Sequence, residues 1–124
     1  MIRRLLLLAT LAMSTSLCMA EAAKPFVGKW NVEWQTEKQT YEAVMVITET
    51  GGTWQTSTRR RSNPCCGREV PIQHDNATPN SLDMTLKFSD IIFDCKNATV
   101  KLQLDDKGAV VGRRGNAELQ LKRD

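Results

Sequence analysis

The amino-acid sequence predicts an all-β fold: an eight-stranded antiparallel up-and-down barrel, a meander, held by one disulfide. Three observations predict it. Apolar and polar residues alternate with a period of two in short runs, the mark of strands with one dry face. Turn signals of hairpin length separate the runs. After residue 25, no stretch carries convincing helical periodicity. An open sheet of about eight strands would expose two edges, and closure removes both.

The chain has 124 residues, and the first part reads as a leader rather than as fold. Met1–Arg4 is a short basic segment, followed by an apolar run from Leu5 to Leu17 that is broken only by Thr10 and the residues 14–16. Small-residue cleavage patterns follow at Cys18-Met19-Ala20 and Ala20-Glu21-Ala22, so residues 1–20 are expected to be a signal peptide cut at about residues 20–22. Lipidation at Cys18 is disfavoured because Leu17, a large residue, precedes it. One domain, 25–124, remains. The net charge of +3 includes Arg3 and Arg4. Without them the domain is close to neutral, which argues against a general nucleic-acid role. No later apolar run is long enough to span a membrane, and the expected location is the periplasm or the exterior.

The first strand is Phe26–Gln35, with Trp30, Val32 and Trp34 on one face and Lys29, Asn31, Glu33 and Gln35 on the other. Thr40–Glu49 places Tyr41, Ala43, Met45 and Ile47 together, and Gly51-Gly52 turns it into a third strand, Thr53–Arg60, carrying Trp54, Thr56 and Thr58. Residues 62–67 form a loop. Glu69–His74 is a fourth strand in which Pro71 predicts an edge or a bulge. Residues 75–81 are expected to be loop. The cleanest alternation follows, Leu82, Met84, Leu86 and Phe88 against Asp83, Thr85, Lys87 and Ser89. A longer connection at 90–97 has room for a short helical turn. Ala98–Asp105, Ala109–Arg113 and Ala117 to the end complete the strands, with turns at Asp106-Lys107-Gly108 and Gly115-Asn116.

Gly28-Lys29-Trp30, at the start of the first strand, resembles the Gly-x-Trp that opens the calycin barrels, the lipocalins and avidins. The strand count and meander order extend the resemblance over the whole domain. It implies that Trp30 closes one end of the barrel against a basic residue from a late strand, for which Arg113 and Arg114 are the candidates. It implies architecture and no particular ligand. The avidin biotin-contact pattern is not matched.

In a meander the connections at 36–39, 61–68, 89–97 and 113–116 share one end of the barrel. Cys65 and Cys66 therefore lie at the same end as Cys95, and one disulfide is expected from Cys95 to one of the adjacent pair. The same end collects Arg59, Arg60, Arg61, Arg68, Lys96, Arg113 and Arg114. Their plain reading is solvated strand ends. Their functional reading is an anion-recognising rim, since the guanidinium fork suits carboxylate or phosphate. Trp30, Trp34, Trp54 and Tyr41 read first as core; Trp30 and Trp54 are the aromatic candidates for a binding site.

Catalysis finds little support. His74 is the only histidine; a Cys66–His74 pair would need its free thiol to survive export, and a zinc site from Cys65, Cys66, Cys95 and His74 lacks the usual Cys-x2–4-Cys spacing. The chain is therefore read as a non-enzymatic binding protein without cofactor or metal. Its expected partner is a protein or anionic group met at the Arg-rich end, as for an envelope inhibitor or immunity protein. The alternative is a carrier that holds a small molecule inside the barrel. Large inward residues favour surface recognition, because a barrel of this size is just wide enough for side chains to fill it.

Overall fold

The computed structural model describes residues 22–57 and 63–124. The expected signal peptide lies outside them, as do Arg59 and Arg60; the third strand, expected to run over Thr53–Arg60, ends at Thr56, and Ser57 is already outside it. The strands are β1 (Gly28–Gln35), β2 (Thr40–Ile47), β3 (Gly52–Thr56), β4 (Glu69–Thr78), β5 (Ser81–Leu86), β6 (Ala98–Leu104), β7 (Val110–Arg114) and β8 (Ala117–Arg123). Each pairs antiparallel with the next, and β8 pairs with β1 to close the barrel. A one-turn helix, α1 (Phe88–Ile91), sits in the β5–β6 connection; it begins two residues before the 90–97 stretch with room for a helical turn and takes Phe88 and Ser89 out of the fifth strand, which ends at Leu86.

The period of two decides what the barrel contains. Trp30, Val32 and Trp34 of β1, Ala43, Met45 and Ile47 of β2, and Leu82, Met84 and Leu86 of β5 are all buried. Trp54, Met45, Leu82, Met84, Leu86 and Val100 are wholly inaccessible, so the waist of the barrel is filled with side chains.

Two local expectations change. β4 does not stop at His74. It runs on to Thr78 through a register shift between His74 and Asn76. Asp75, at the shift, accepts hydrogen bonds from Gln73 (2.7 Å) and the Thr85 hydroxyl (2.6 Å), which hold the extra residue against β5. Pro71 lies on neither an edge nor this bulge. It faces Thr53 across the β3–β4 seam, where only the pairs from Thr53 to Gln55 form. Proline has no N–H to give a ladder, and this seam is correspondingly short.

The connections divide between two ends. At the end where β1 begins and β8 finishes, a 3-10 turn, Lys24–Phe26, covers the opening and buries Phe26 completely. We call this the closed end. The other, the loop end, carries the 36–39, 57–68, 87–97 and 115–116 connections. A disulfide from Cys65 to Cys95, with Cα atoms 5.8 Å apart, ties the two longest of these together. Cys66 is the free partner of the pair.

Candidate anion-binding site

Strand β7 is short, and its alternation sorts its two arginines. Gly112 is buried and Arg114, two residues on, also points inward, while Val111 and Arg113 face solvent. Gly112 leaves its space to neighbouring side chains. A Cβ there would stand 2.6 Å from Leu102 Cδ2, so this level of the barrel is filled from neighbouring strands. Arg114 then emerges above that layer at the loop end.

The Arg114 guanidinium is enclosed by rings. Its Cζ lies 5.0 Å from the Trp34 centroid, 5.6 Å from Trp54 and 5.5 Å from Phe88. Tyr41 stacks on Trp34 at 5.3 Å, its directly opposite neighbour across β1 and β2, and extends the aromatic wall. Trp54 is held in turn by a 2.9 Å bond from its indole N–H to Thr56 Oγ1. Among the described residues no hydrogen bond or ion pair reaches the Arg114 guanidinium. Burial lowers its pKa from the ordinary arginine value, with Cys66 and Tyr41 acting in the opposite sense.

Arg114 opens on a cavity of about 320 Å³ that is also lined by the rings of Trp34, Tyr41 and Phe88, by Thr56, Asn63 and Lys96, and by Cys65 and Cys66. Its polar groups are donors or neutral, and no carboxylate lines it among the described residues. Thr56 is 3% exposed, and its oxygen already accepts from Trp54, which leaves its O–H to give. The Asn63 carbonyl oxygen is occupied by the Cys65 backbone N–H at 2.9 Å, which leaves the amide N–H groups. Burial pushes the Cys66 thiol above its usual pKa, and Arg114 pulls it part of the way back. The thiol is therefore mainly protonated at neutral pH and a weak nucleophile.

The other residues singled out in the sequence fall elsewhere. Trp30 is at the closed end, remote from the rim. The basic residue packed on it is Arg123 of β8, not Arg113 or Arg114: Arg123 stands opposite Trp30 in the register, with Cζ 4.1 Å from the ring centroid. Trp54 supports Arg114 from below and does not line the cavity. Arg113 is exposed, donates to Asn116 O at 3.4 Å and faces Glu118 across the turn. Arg68 reaches across the loop end to Ile91 O at 3.3 Å and braces the disulfide-linked connections. Arg59, Arg60 and Arg61 lie outside the described residues. His74 hydrogen-bonds Gly51 O at 3.0 Å at the closed end, so neither the Cys66–His74 pair nor the zinc set is assembled.

One residue of this end carried no sequence signal of function. Phe93 is 89% exposed, on the connection that Cys95 anchors. In the sequence it was indistinguishable from Ile92 beside it, which is buried.

Fold and site together define a class: a filled, closed eight-stranded barrel with a cationic, aromatic-walled cavity at one end. No protein-family model, curated protein or solved structure matches the chain.

Proposed function

We propose that this chain is an exported, non-enzymatic binding protein that recognises an anionic group on a protein partner through its loop end, in the manner of an envelope inhibitor or immunity protein. One observation carries the reading: Arg114 is held among three rings, and among the described residues no oxygen receives its donors. Arg114 is half-buried and lines the cavity, so donors that the fold does not use are open to a partner's oxygens.

Three further features support it. The filled waist leaves little room for a ligand deep in the interior. Phe93 offers an aromatic side chain of the kind that anchors protein interfaces. The 57–68 connection carries Arg59, Arg60, Arg61 and Arg68 without one acidic residue, while Lys87 and Lys96 in 87–97 are balanced by Asp90 and Asp94. The connections of the closed end contain Glu49, Asp105 and Asp106 against Lys107. Such an asymmetry steers an acidic surface to the loop end. The disulfide suits an oxidising compartment. The Trp30–Arg123 contact agrees with what the calycin resemblance implies for the closed end, and we take the barrel as calycin-like on that ground.

The aromatic cavity favours a second reading, a carrier of a small anion. Native mass spectrometry on protein purified from its own cell envelope separates the two. A bound protein that is lost on Arg114→Met supports the inhibitor reading. A small mass that leaves on denaturation supports the carrier. A bare barrel without affinity for any anion removes both.

A further inference from the structure

We infer that the loop-end cavity is a carboxylate receptor: Arg114 takes one carboxylate group, and the rings of Trp34, Tyr41 and Phe88 take the apolar stem that bears it. The inference rests on the binding reading above and names the chemistry of what is bound.

The placing of the charges favours a monoanion. Only one cation, the half-buried Arg114 guanidinium, lies among the rings, and the second, Lys96, is exposed. A phosphate dianion would match the two in number, but it would give up more hydration than a carboxylate to enter among the rings, where a single guanidinium meets it. A carboxylate brings a single charge and two coplanar oxygens, which match the planar guanidinium fork. Contact with the rings stabilises the cation but gives its N–H groups no oxygen. An incoming carboxylate would find those donors uncommitted, with the Thr56 hydroxyl and the Asn63 amide as further donors at the wall.

Shape points the same way. At about 320 Å³ the cavity is at the low end for ligand sites, enough for a carboxylate and a short stem. The walls that the stem would meet are aromatic, so they recognise apolar surface better than a second polar group. A free small acid and an acidic side chain of a polypeptide share this chemistry: each is a carboxylate on a hydrocarbon stem.

The experiment is titration of the mature, disulfide-intact protein, followed by calorimetry and by tryptophan emission, since Trp34 and Trp54 flank Arg114. The probes are phenylacetate, a short glutamate-containing peptide blocked at both ends, inorganic phosphate, and phenylacetamide as the neutral control. Saturable binding of phenylacetate or of the peptide is expected, with little response to phenylacetamide. Arg114→Met should weaken it at least about tenfold, as loss of hydrogen bonds to a charged group requires. Arg114→Lys, which keeps the charge without the fork, should fall between, and it serves as the test if the Met variant does not fold. Binding by phenylacetate alone identifies the source as a free acid. Binding by the peptide alone identifies it as a partner's acidic side chain. Phosphate binding at least as tightly as either carboxylate, in an Arg114-dependent way, overturns the carboxylate assignment and leaves the anion reading standing. Equal binding of the neutral amide also overturns it. No Arg114-dependent binding of any anion overturns both.

Discussion

At the closed end, Arg123 lies 4.1 Å from the Trp30 ring and donates to Val27 O at 2.7 Å and Pro25 O at 3.0 Å. At the loop end, Arg114 lies 5.0 Å from the Trp34 ring and meets no oxygen among the described residues. The two pairs use the same residue types from strands β1, β7 and β8, yet they do different things. Arg123 spends its donors on the 3-10 turn, and Trp30 adds its own bond to Phe26 O at 2.9 Å. Even the neighbouring glycine serves this contact: Gly28 has φ of 140°, and a Cβ there would stand 2.7 Å from Arg123 Nη1. That end is a latch. Arg114 keeps its donors and is the residue of the pair that has something left to bind with.

The comparison makes graded predictions. The largest effect is expected for Trp30→Ala, which should cost about 3–5 kcal/mol as a buried large-to-small change. Trp34→Ala should cost less, because that ring already borders a cavity. Equal losses in urea denaturation would break the distinction between latch and site. Cys95→Ser releases the tie between the two loop-end connections, and should lower stability by about 3 kcal/mol for a loop of this length. Carboxylate affinity should fall with it if the cavity wall depends on Cys65.

Next come the arginines themselves. Arg123→Met should destabilise by about 1–2 kcal/mol, since it strands two carbonyls at a partly solvated end. Arg114→Met should move the melting temperature by no more than about a few degrees, because the guanidinium makes no hydrogen bond or ion pair with the described residues. A melting temperature lowered as far as by Arg123→Met would make Arg114 structural and erase the contrast.

The smallest effect concerns pH. The Asp75 carboxyl lies below its ordinary pKa, chiefly because the Thr85 hydroxyl donates to it. A depressed pKa stabilises the fold at pH values above the usual carboxylate range, and that contribution is lost as pH falls through the folded-state value. Asp75→Asn should therefore flatten the acid limb of the stability profile below about pH 4 and leave carboxylate binding untouched. A change in binding would mean that the bulge and the cavity are coupled.

The strand faces were legible because burial follows the alternation: Leu82, Met84 and Leu86 are inside just as their spacing says. The disulfide ends were legible from loop parity in a meander, although the choice of Cys65 over Cys66 was not. It depends on a turn held by Asn63, which no periodicity records. The partner of Trp30 was misassigned because it is fixed by the β1–β8 register, a pairing between opposite ends of the chain. The same gap concealed the division between Arg113 and Arg114. Which of two adjacent arginines faces inward depends on where β7 begins its alternation, and Ala109 lies outside the strand.

The closing pair of strands has a consequence for how the molecule is made. Every other strand pairing joins sequence neighbours, so those hairpins can zip up one after another with little loop entropy to overcome. β1 must wait for β8, the last strand to be synthesised and the last to cross a membrane if the chain is exported from its N-terminus. Cys65 and Cys95 both precede β8, so the staple can be set while the barrel is still an open ribbon. Barrel closure then finishes at the Arg123 latch, where Asp124 N–H, just beyond β8, donates to Lys29 O of β1 at 2.9 Å.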